Sequence, residues 1–448
     1  MKVDFWCSRR PYVDHAAPVW LELPEETRGQ FVTPLLDRAA ALGIDAVRPS
    51  KNNAYIVGED DLVRGNAGTP LSGDLIVFLS RCEIAAMPAD RPLVFMEHGV
   101  GPTYDGQSHL PYMDRIELVL TTPANAPGHI ELFGDRVQEI GCPKLDKVTR
   151  RKKRPTTPPT VAVSHHWNQR AYPETMSAWP WDKEAWERIA ASGEWKLLGH
   201  KHPGDPRDVL EWWDSFGVET VDSFDEIMER ADLYVADNTS TLYEFASLDR
   251  PVVVLSPPFY RRDVKHGLRF WDHVPGVQVS HPDELDAALH EAWADFPARA
   301  ALRHKAVEAA YGVMDGQAAR RAREHILACL ERVNRFDTGG TGMKVKVTSE
   351  FQGPKRRHLP GEVLDVGEAT ATRMFAAKVA EAVEVQPDEP DAPAPQEAPV
   401  ETEQVDDGLE DKKQGELRTI AREDHGLTFR VGTKNDEMIA AIRAARKG

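Results

Sequence analysis

The stretch from residue 231 to residue 256 predicts a strand, a helix and a second strand in close succession. Leu233 to Val235 form a short apolar run that ends at Asp237, and Val252 to Leu255 form another. Between these runs a polar turn is followed by apolar residues at helical spacing. Two strands joined by one helical crossover lie parallel in the same sheet. This unit therefore predicts an α/β protein with a buried parallel sheet.

Similar apolar runs, each bounded by turn residues, recur along the chain. They predict further strands at 3–7, 74–79, 92–96, 116–121, 137–142, 160–164 and 195–198. Residues 28–42 carry apolar side chains on one helical face and predict a helix that stops at Gly43. Residues 284–332 predict helices that are interrupted at 296–297 and at 312–316.

The strands and helices fall into two halves of similar size. Residues 147–159 separate them with a basic and then proline-rich run, which is typical of a solvated linker and less so of a phosphate-binding patch. We expect two Rossmann-like domains, at 1–150 and 160–335, that face each other across a cleft. In open α/β sheets ligands bind at the carboxyl ends of the strands, where the polar residues of this chain cluster.

Charge and cysteine content limit the classes of function. The 448 residues carry a formal net charge of −17, which argues against general binding to nucleic acid or anionic membranes by the whole molecule. The four cysteines are scattered without metal-ligand spacing, so we expect reduced thiols, no metal site and no cofactor. No secretory signal and no transmembrane run is evident, and the expected location is the cytoplasm of a bacterial or phage-infected cell.

The polar turn within the opening stretch is a candidate anion site. Asn238, Thr239, Ser240 and Thr241 precede the helix, and Glu244 stands where a capping box would place it. Free N–H groups and hydroxyls at such a turn suit a phosphate. Taken alone, the pattern is more typical of an ordinary capped helix in an α/β sheet than of an anion site.

Six short motifs follow one another in a recognisable order. They are His98-Gly99, Gly141-x-Pro143-x-x-Asp146, His202-Pro203, Asp237-x-x-Ser240-Thr241 with Glu244, Pro251, and Asp315-Gly316-x-Ala318-x-x-Arg321. Over residues 90–330 this set resembles the CDP-glycerol glycerophosphotransferase family, whose members make teichoic-acid-type polymers. The resemblance implies the GT-B fold and the transfer of glycerol phosphate from CDP-glycerol to a hydroxyl on a glycan, polymer or protein.

The resemblance also implies a role for each motif. The donor pyrophosphate would lie on the turn 238–241, and His98 would be the general base. His202 would contact the phosphate or assist the leaving group. Glu244 would bind the nucleotide ribose. The motif that begins with Asp315 and Gly316 would help to close the donor site, and Arg320 and Arg321 would be further phosphate contacts.

Two departures from the family pattern widen the choice of donor. Asn238 replaces a tyrosine, and residues 98–103 lack the lysine of the usual His-Gly-Thr-Pro-Leu-Lys. A nucleotide-diphosphate sugar therefore stays open as the donor. The chain also lacks a convincing membrane-binding segment, which favours a soluble acceptor.

The last hundred residues differ in character. Residues 343–383 predict a small α+β module that loosely resembles phage assembly modules. Residues 384–414 are acidic and proline-rich and predict a disordered linker. Residues 415–448 resemble a SAP-like helix–extended loop–helix module, which implies contact with nucleic acid or protein. The alternative function is accordingly a phage-type structural or tethering protein built on a non-catalytic scaffold.

Overall fold

The computed structural model describes most of the chain. The described residues are 1–49, 71–88, 90–103, 115–148, 156–166, 177–201, 209–295, 297–338, 343–349, 351–352, 357–376, 378–382, 420–421, 438–439, 441–442 and 445. The chain divides into two units, Met1–Glu384 and Val385–Gly448. The first unit contains all the sheets described below.

The first half of this unit is built on a seven-stranded parallel sheet. Its strands, with the short β6 that lies outside the sheet, are β1 (Val3–Trp6), β2 (Arg28–Val32), β3 (Ala46–Val47), β4 (Leu75–Phe78), β5 (Leu93–Met96), β6 (Pro102–Thr103), β7 (Ile116–Thr121) and β8 (Val137–Glu139). Their order is β3-β2-β1-β4-β5-β7-β8. The central strands β1, β4 and β5 are buried over their whole length, because helices cover both faces of a parallel sheet.

Three helices accompany this sheet: α1 (Arg10–Glu22), α2 (Leu36–Ala41) and α3 (Ala126–Phe133). The prediction of a single helix over 28–42 is wrong in its first part. Residues Arg28–Val32 form β2, with Phe31 and Val32 buried beside β1, and only the residues after Pro34 are helical. Pairing with the sheet outweighs the local helical pattern, and the proline separates the two elements.

The second half repeats the architecture with a six-stranded parallel sheet of order β11-β10-β9-β12-β13-β15. Its strands, with the short β14 that lies outside the sheet, are β9 (Thr160–His165), β10 (Lys196–Lys201), β11 (Glu219–Thr220), β12 (Leu233–Ala236), β13 (Val252–Leu255), β14 (His266–Gly267) and β15 (Val277–Val279). The helices are α4 (Lys183–Ser192), α5 (Val209–Ser215), α6 (Phe224–Arg230), α7 (Thr241–Ala246), α8 (Leu285–Ala294), α9 (Ala300–Tyr311) and α10 (Ala318–Thr338). The interruptions predicted within 284–332 separate α8, α9 and α10.

The last of these helices returns to the first half. Ala322, Ile326 and Leu330 of α10 are buried in the same apolar cluster as Phe5 and Val77 of the first sheet. The predicted boundary at 335 assigns α10 to the second domain by chain order, whereas its apolar face packs on the first.

After α10 comes a small antiparallel sheet of order β19-β16-β20. The elements are β16 (Met343–Val347), β17 (Phe351–Gln352), β18 (Arg357–His358), β19 (Val363–Val366), α11 (Glu368–Ala376) and β20 (Ala380–Ala382). Val345, Val347 and Met374 form its buried core, in the place of the predicted α+β module.

The predicted linker 384–414 lies outside the described residues. In the second unit, helical residues at 420–421, 438–439 and 441–442 pack through Ala421, Met438 and Ile442. The predicted boundaries of the linker at 384–414 and of the module at 415–448 stay predictions. Within the described part of the chain, no helix is both long enough and apolar enough to span a membrane.

Candidate active site

The carboxyl ends of β5 and β12 bring the two halves of the first unit together. Gly99 follows β5, Ser240 follows β12, and a Cβ atom added to Gly99 would lie 3.0 Å from the Ser240 Oγ atom. Such a contact is too tight for most side chains, so glycine permits this approach. The structure thus places the His98-Gly99 motif of one half directly against the Asn238–Thr241 turn of the other.

The His98 ring is held in one orientation. Its Nδ1 atom lies 2.8 Å from the Leu79 carbonyl oxygen, and the ring packs against Tyr12 with 4.4 Å between ring centroids. Because a carbonyl only accepts hydrogen bonds, Nδ1 carries the proton and Nε2 is left as the acceptor. Burial lowers the pKa of His98, although the Leu79 carbonyl and Glu97 oppose this effect. Among the described residues, no hydrogen bond to Nε2 is found. A neutral ring with an available Nε2 has the form that a general base requires.

The Glu97 carboxylate and the residues that bind it fix the strand end that carries His98. The Glu97 Oε2 atom accepts hydrogen bonds from Thr121 Oγ1 at 2.5 Å and from His129 Nε2 at 3.0 Å. Asn125 donates to the Gly99 carbonyl at 3.1 Å. Burial alone would raise the pKa of Glu97, but His129 and the hydrogen bonds outweigh it and lower the pKa to about 2. Glu97 is therefore a carboxylate at neutral pH.

In the Asn238–Thr241 turn, opposite His98, two polar side chains are available to bind a ligand. Asp237 is fully buried and accepts hydrogen bonds from the backbone N–H groups of His166 and Ala178, each at 2.7 Å. Ser240 occupies the N-cap of α7 without a capping hydrogen bond from its side chain. Among the described residues, neither the Ser240 hydroxyl nor the Asn238 amide has a side-chain hydrogen bond, so both can bind a ligand.

Glu244 does not form the predicted capping box. Its Oε2 atom lies 2.6 Å from Lys144 Nζ, in an ion pair whose two side chains are only 3% and 12% exposed. Lys144 belongs to the Gly141–Asp146 motif of the first half, so this pair joins the halves. The ribose contact assigned to Glu244 stays a prediction.

The Asp315–Arg321 motif contacts the Gly141–Asp146 motif. Arg321 binds Asp315 Oδ2 at 2.7 Å and donates to the Ile140 carbonyl at 3.0 Å. The Asp146 carboxylate accepts from the backbone N–H groups of Ala318 and Ala319 at 3.0 and 2.7 Å. The two motifs therefore fasten the start of α10 to the first half, and the donor contacts predicted for Asp315, Gly316 and Arg321 stay predictions.

His202 lies outside the described residues, so its predicted role has no structural account. Sequence reasoning missed Glu97, Lys144 and Tyr234, each of which is buried or nearly so and contacts a predicted residue. Two of them had a signal in the sequence, since Glu97 directly precedes His98 and Lys144 lies inside a quoted motif. In the described ranges, no group of three or more His, Cys, Asp or Glu residues is arranged to hold a metal ion.

Comparison with known proteins shows which family part of the chain resembles. Residues 174–328 match the family described as CDP-Glycerol:Poly(glycerophosphate) glycerophosphotransferase. The matched stretch of 155 residues out of 448 is similar to that family. It contains the second sheet from α4 onwards, the Asn238–Thr241 turn and the Asp315–Arg321 motif. The predicted class of enzyme, a transferase of the glycerophosphotransferase type, is thereby confirmed.

Of the solved structures that resemble this chain, two of TagF confirm the fold. A variant of the wall teichoic acid polymerase TagF is similar over 75% of this chain and 89% of its own, with 11% identity and a TM-score of 0.52. The structure of a TagF crystal soaked with CDPG is similar over 74% of this chain and 89% of its own, with 11% identity and a TM-score of 0.51. A UDP-GlcNAc 2-epimerase from Neisseria meningitidis matches over 73% of this chain and all of its own, with 14% identity and a TM-score of 0.48. No curated protein matches.

The comparisons give the phage-type alternative no support. The GT-B arrangement of two Rossmann-like halves is confirmed by the similarity to TagF.

Proposed function

We propose that this protein transfers glycerol phosphate from a nucleotide-diphosphate donor, in the first place CDP-glycerol, to an acceptor hydroxyl in the cleft between the two halves. The observation that carries the proposal is the contact of His98-Gly99 with the Ser240 turn. A base and a phosphate-binding turn on opposite sides of one cleft are what an in-line displacement at phosphorus needs.

The reaction has one bond made and one broken at phosphorus. The acceptor oxygen attacks the phosphorus that bears glycerol, the bond from that phosphorus to the bridging oxygen breaks, and CMP leaves. His98 Nε2 takes the proton of the acceptor hydroxyl as the new bond forms. The lowered pKa of His98 keeps the ring unprotonated and able to act as a base at neutral pH.

The donor phosphates are assigned to the turn at 238–241. Because α7 has only six residues, its dipole contributes little, and the hydroxyl and amide groups of the turn supply the binding. The Ser240 hydroxyl and the Asn238 amide are the first candidates. We infer that Asn238 also bears on the choice of donor, and a nucleotide-diphosphate sugar is the second candidate because the family lysine after His98-Gly99 is absent.

A ligand screen and one variant test the proposal. We expect CDP-glycerol or CDP to raise the melting temperature, and CDP-glycerol with a polyol acceptor to release CMP. His98→Asn should lower kcat by about 100- to 10,000-fold, as expected for loss of a general base, with donor affinity unchanged. His273→Asn, at an exposed histidine, is the control.

The outcomes separate the donors. A response to UDP- or GDP-sugars alone would select the sugar transferase. No response to any nucleotide diphosphate would refute the proposed transfer. If a donor is found, full activity of His98→Asn would refute the catalytic role of His98.

The helical residues of the second unit are assigned a docking role. We propose that 415–448 contacts a protein or a nucleic acid and takes no part in donor binding. Deletion of residues 385–448 should leave donor affinity unchanged by calorimetry, and a loss of donor binding in that truncation would contradict this assignment.

A further inference from the structure

The loop that follows β13 carries two consecutive arginines. Ser256 is the first residue after β13, and Arg261 and Arg262 follow it on the way to β14. Because β13 pairs directly with β12, the loop begins beside the strand end that leads into the Asn238–Thr241 turn. This is the carboxyl edge of the second sheet, where open parallel sheets bind their ligands.

The far end of the same loop lies against the first half. β14 pairs with β6, and the Leu268 N–H group donates to the Gly101 carbonyl at 3.1 Å. Gly101 stands two residues after the His98-Gly99 motif. The Phe270 ring stacks on Tyr243 of α7 with 6.0 Å between ring centroids. The loop with the two arginines therefore runs from the edge of the second sheet to the segment that follows the candidate base.

The two guanidinium groups differ in their electrostatic partners. Arg261 makes two hydrogen bonds to the Asp263 carboxylate, at 2.6 and 2.9 Å, and this pair neutralises its charge. Arg262 is exposed and has no carboxylate partner among the described residues. Of two neighbouring cations, only the second is thus left without a counter-charge.

Three neutral groups hold Arg262 in place. Its Nη2 atom donates to the buried Ser256 Oγ atom at 2.9 Å and to the Pro257 carbonyl at 3.5 Å. Its Cζ atom lies 4.4 Å from the centroid of the Trp271 ring, a cation–π contact. In the part of the chain that the structure describes, Nε and Nη1 have no hydrogen-bond partner. The guanidinium is therefore fixed in orientation and keeps both its charge and free N–H donors.

The proposed transfer needs positive charge beside the donor. A diphosphate is a polyanion, and negative charge develops further on the nucleotide that leaves. The turn at 238–241 contains no cationic side chain, and the lysine of the family pattern after His98-Gly99 is absent. Lys144 is paired with Glu244. Arg262 has the charge and the location that these groups lack.

We propose that Arg262 binds the donor diphosphate, and that Ser256 and Trp271 hold its guanidinium in position for this contact. The inference deepens the proposed function and rests on it. A guanidinium suits the task because it stays charged at neutral pH and offers several donors to phosphate oxygens. During transfer the same contact neutralises charge on the departing CMP.

Arg262→Gln tests the contact. It should weaken binding of CDP, or of UDP if that is the tighter ligand of the wild type, by about 10- to 100-fold in calorimetry, as for loss of a charge-assisted hydrogen bond. The affinity for the corresponding nucleoside, measured by competition, should stay unchanged because the nucleoside carries no phosphate. Arg262→Lys keeps the charge without the planar group and should recover part of the affinity. In turnover, the KM for the donor should rise while the KM for the acceptor does not.

Arg261→Gln is the matched control. It removes an arginine from the same loop, but one whose charge Asp263 already neutralises. The affinities for nucleoside and nucleotide should stay as they are. Should Arg262→Gln fold poorly, Ser256→Ala leaves the arginine in place, removes the acceptor that holds it, and should weaken the nucleotide by about 3- to 5-fold.

Equal nucleotide affinity in wild type and in the folded Arg262 and Ser256 variants would overturn this role and leave the proposed function intact. An equal loss for nucleoside and nucleotide would also overturn it, since that result reports a general structural effect. A loss in Arg261→Gln as large as in Arg262→Gln would overturn it too, because the effect would then not be specific to the arginine without a counter-charge. A wild type that binds neither CDP nor UDP would overturn both the role and the proposed function.

Discussion

Glu97 determines whether His98 is held in place. Its carboxylate binds Thr121 and His129, and Asn125 from the same region holds the Gly99 carbonyl. The strand end after β5 is therefore fixed on both sides of His98. A single buried charge, contributed by the residue next to the candidate base, carries much of this arrangement.

Glu97→Gln should be destabilising and the effect should depend on pH. The folded-state pKa of about 2 lies below the ordinary value of 4.5, so the carboxylate stabilises the fold above pH 4.5 and this contribution disappears as the pH falls through about 2. We expect a loss of about 2–3 kcal/mol at neutral pH in denaturant unfolding. The difference from wild type should shrink between pH 4.5 and pH 2. Glu139→Gln, at an exposed strand position, should change little.

The same variant predicts a shift in catalysis. Glu97 raises the pKa of His98, so removal of its charge should lower that pKa further. The acid limb of the kcat/KM profile should then move to lower pH. An unmoved acid limb would argue that another group is the base.

Among single residues, the sequence pointed to those that stand in a short motif and missed those that do not stand out from their neighbours in the chain. His98 and Ser240 stand in short motifs at the ends of apolar runs, which is a signal within one segment. Lys144 and His129 act through partners that lie 100 and 32 residues away along the chain. Only the fold brings such partners together.

Among the elements, α10 is the one whose packing partner could least be predicted from its place in the chain. Its helical pattern was predictable from its apolar spacing, but the core on which it packs was not. The spacing shows that one face is buried and carries no information on which sheet buries it. The two parallel sheets, in contrast, were predictable because each central strand is a continuous apolar run.

Asp146 anchors the beginning of α10 from the other half. Its carboxylate accepts hydrogen bonds from the N–H groups of Ala318 and Ala319, which are free at a helix start. Asp146→Ala should lower the free energy of unfolding by about 1–2 kcal/mol, and Asp146→Asn by less, because asparagine can also accept these bonds. Asp135→Ala, at an exposed site, is the control in the same denaturation experiment. Equal stability of Asp146→Ala and wild type would show that the helix start needs no cap.

For the whole of the first unit, the question is what keeps the two halves together around the cleft. Arg38 on α2 binds Asp14 at 2.6 Å and Asp225 on α6 at 2.5 Å. At another point β6 pairs with β14, and Lys265 binds Glu131 at 2.6 Å. The Lys144–Glu244 pair is the most deeply buried of these joints. Exposed pairs contribute little to stability, so the buried pair should matter most.

A double-mutant cycle on Lys144 and Glu244 tests this ranking. Lys144→Met leaves the Glu244 carboxylate buried without its cation and should cost about 3–5 kcal/mol in denaturant unfolding. Lys144→Met combined with Glu244→Gln removes both charges and should recover much of that loss. The attraction within a buried pair exceeds the cost of desolvating its two charges by little. Lys265→Met breaks a pair that is nearly half exposed on both sides and should cost no more than about 1 kcal/mol. If the double variant is as unstable as the sum of its single variants, the two side chains do not interact, and the halves must be held by the remaining joints.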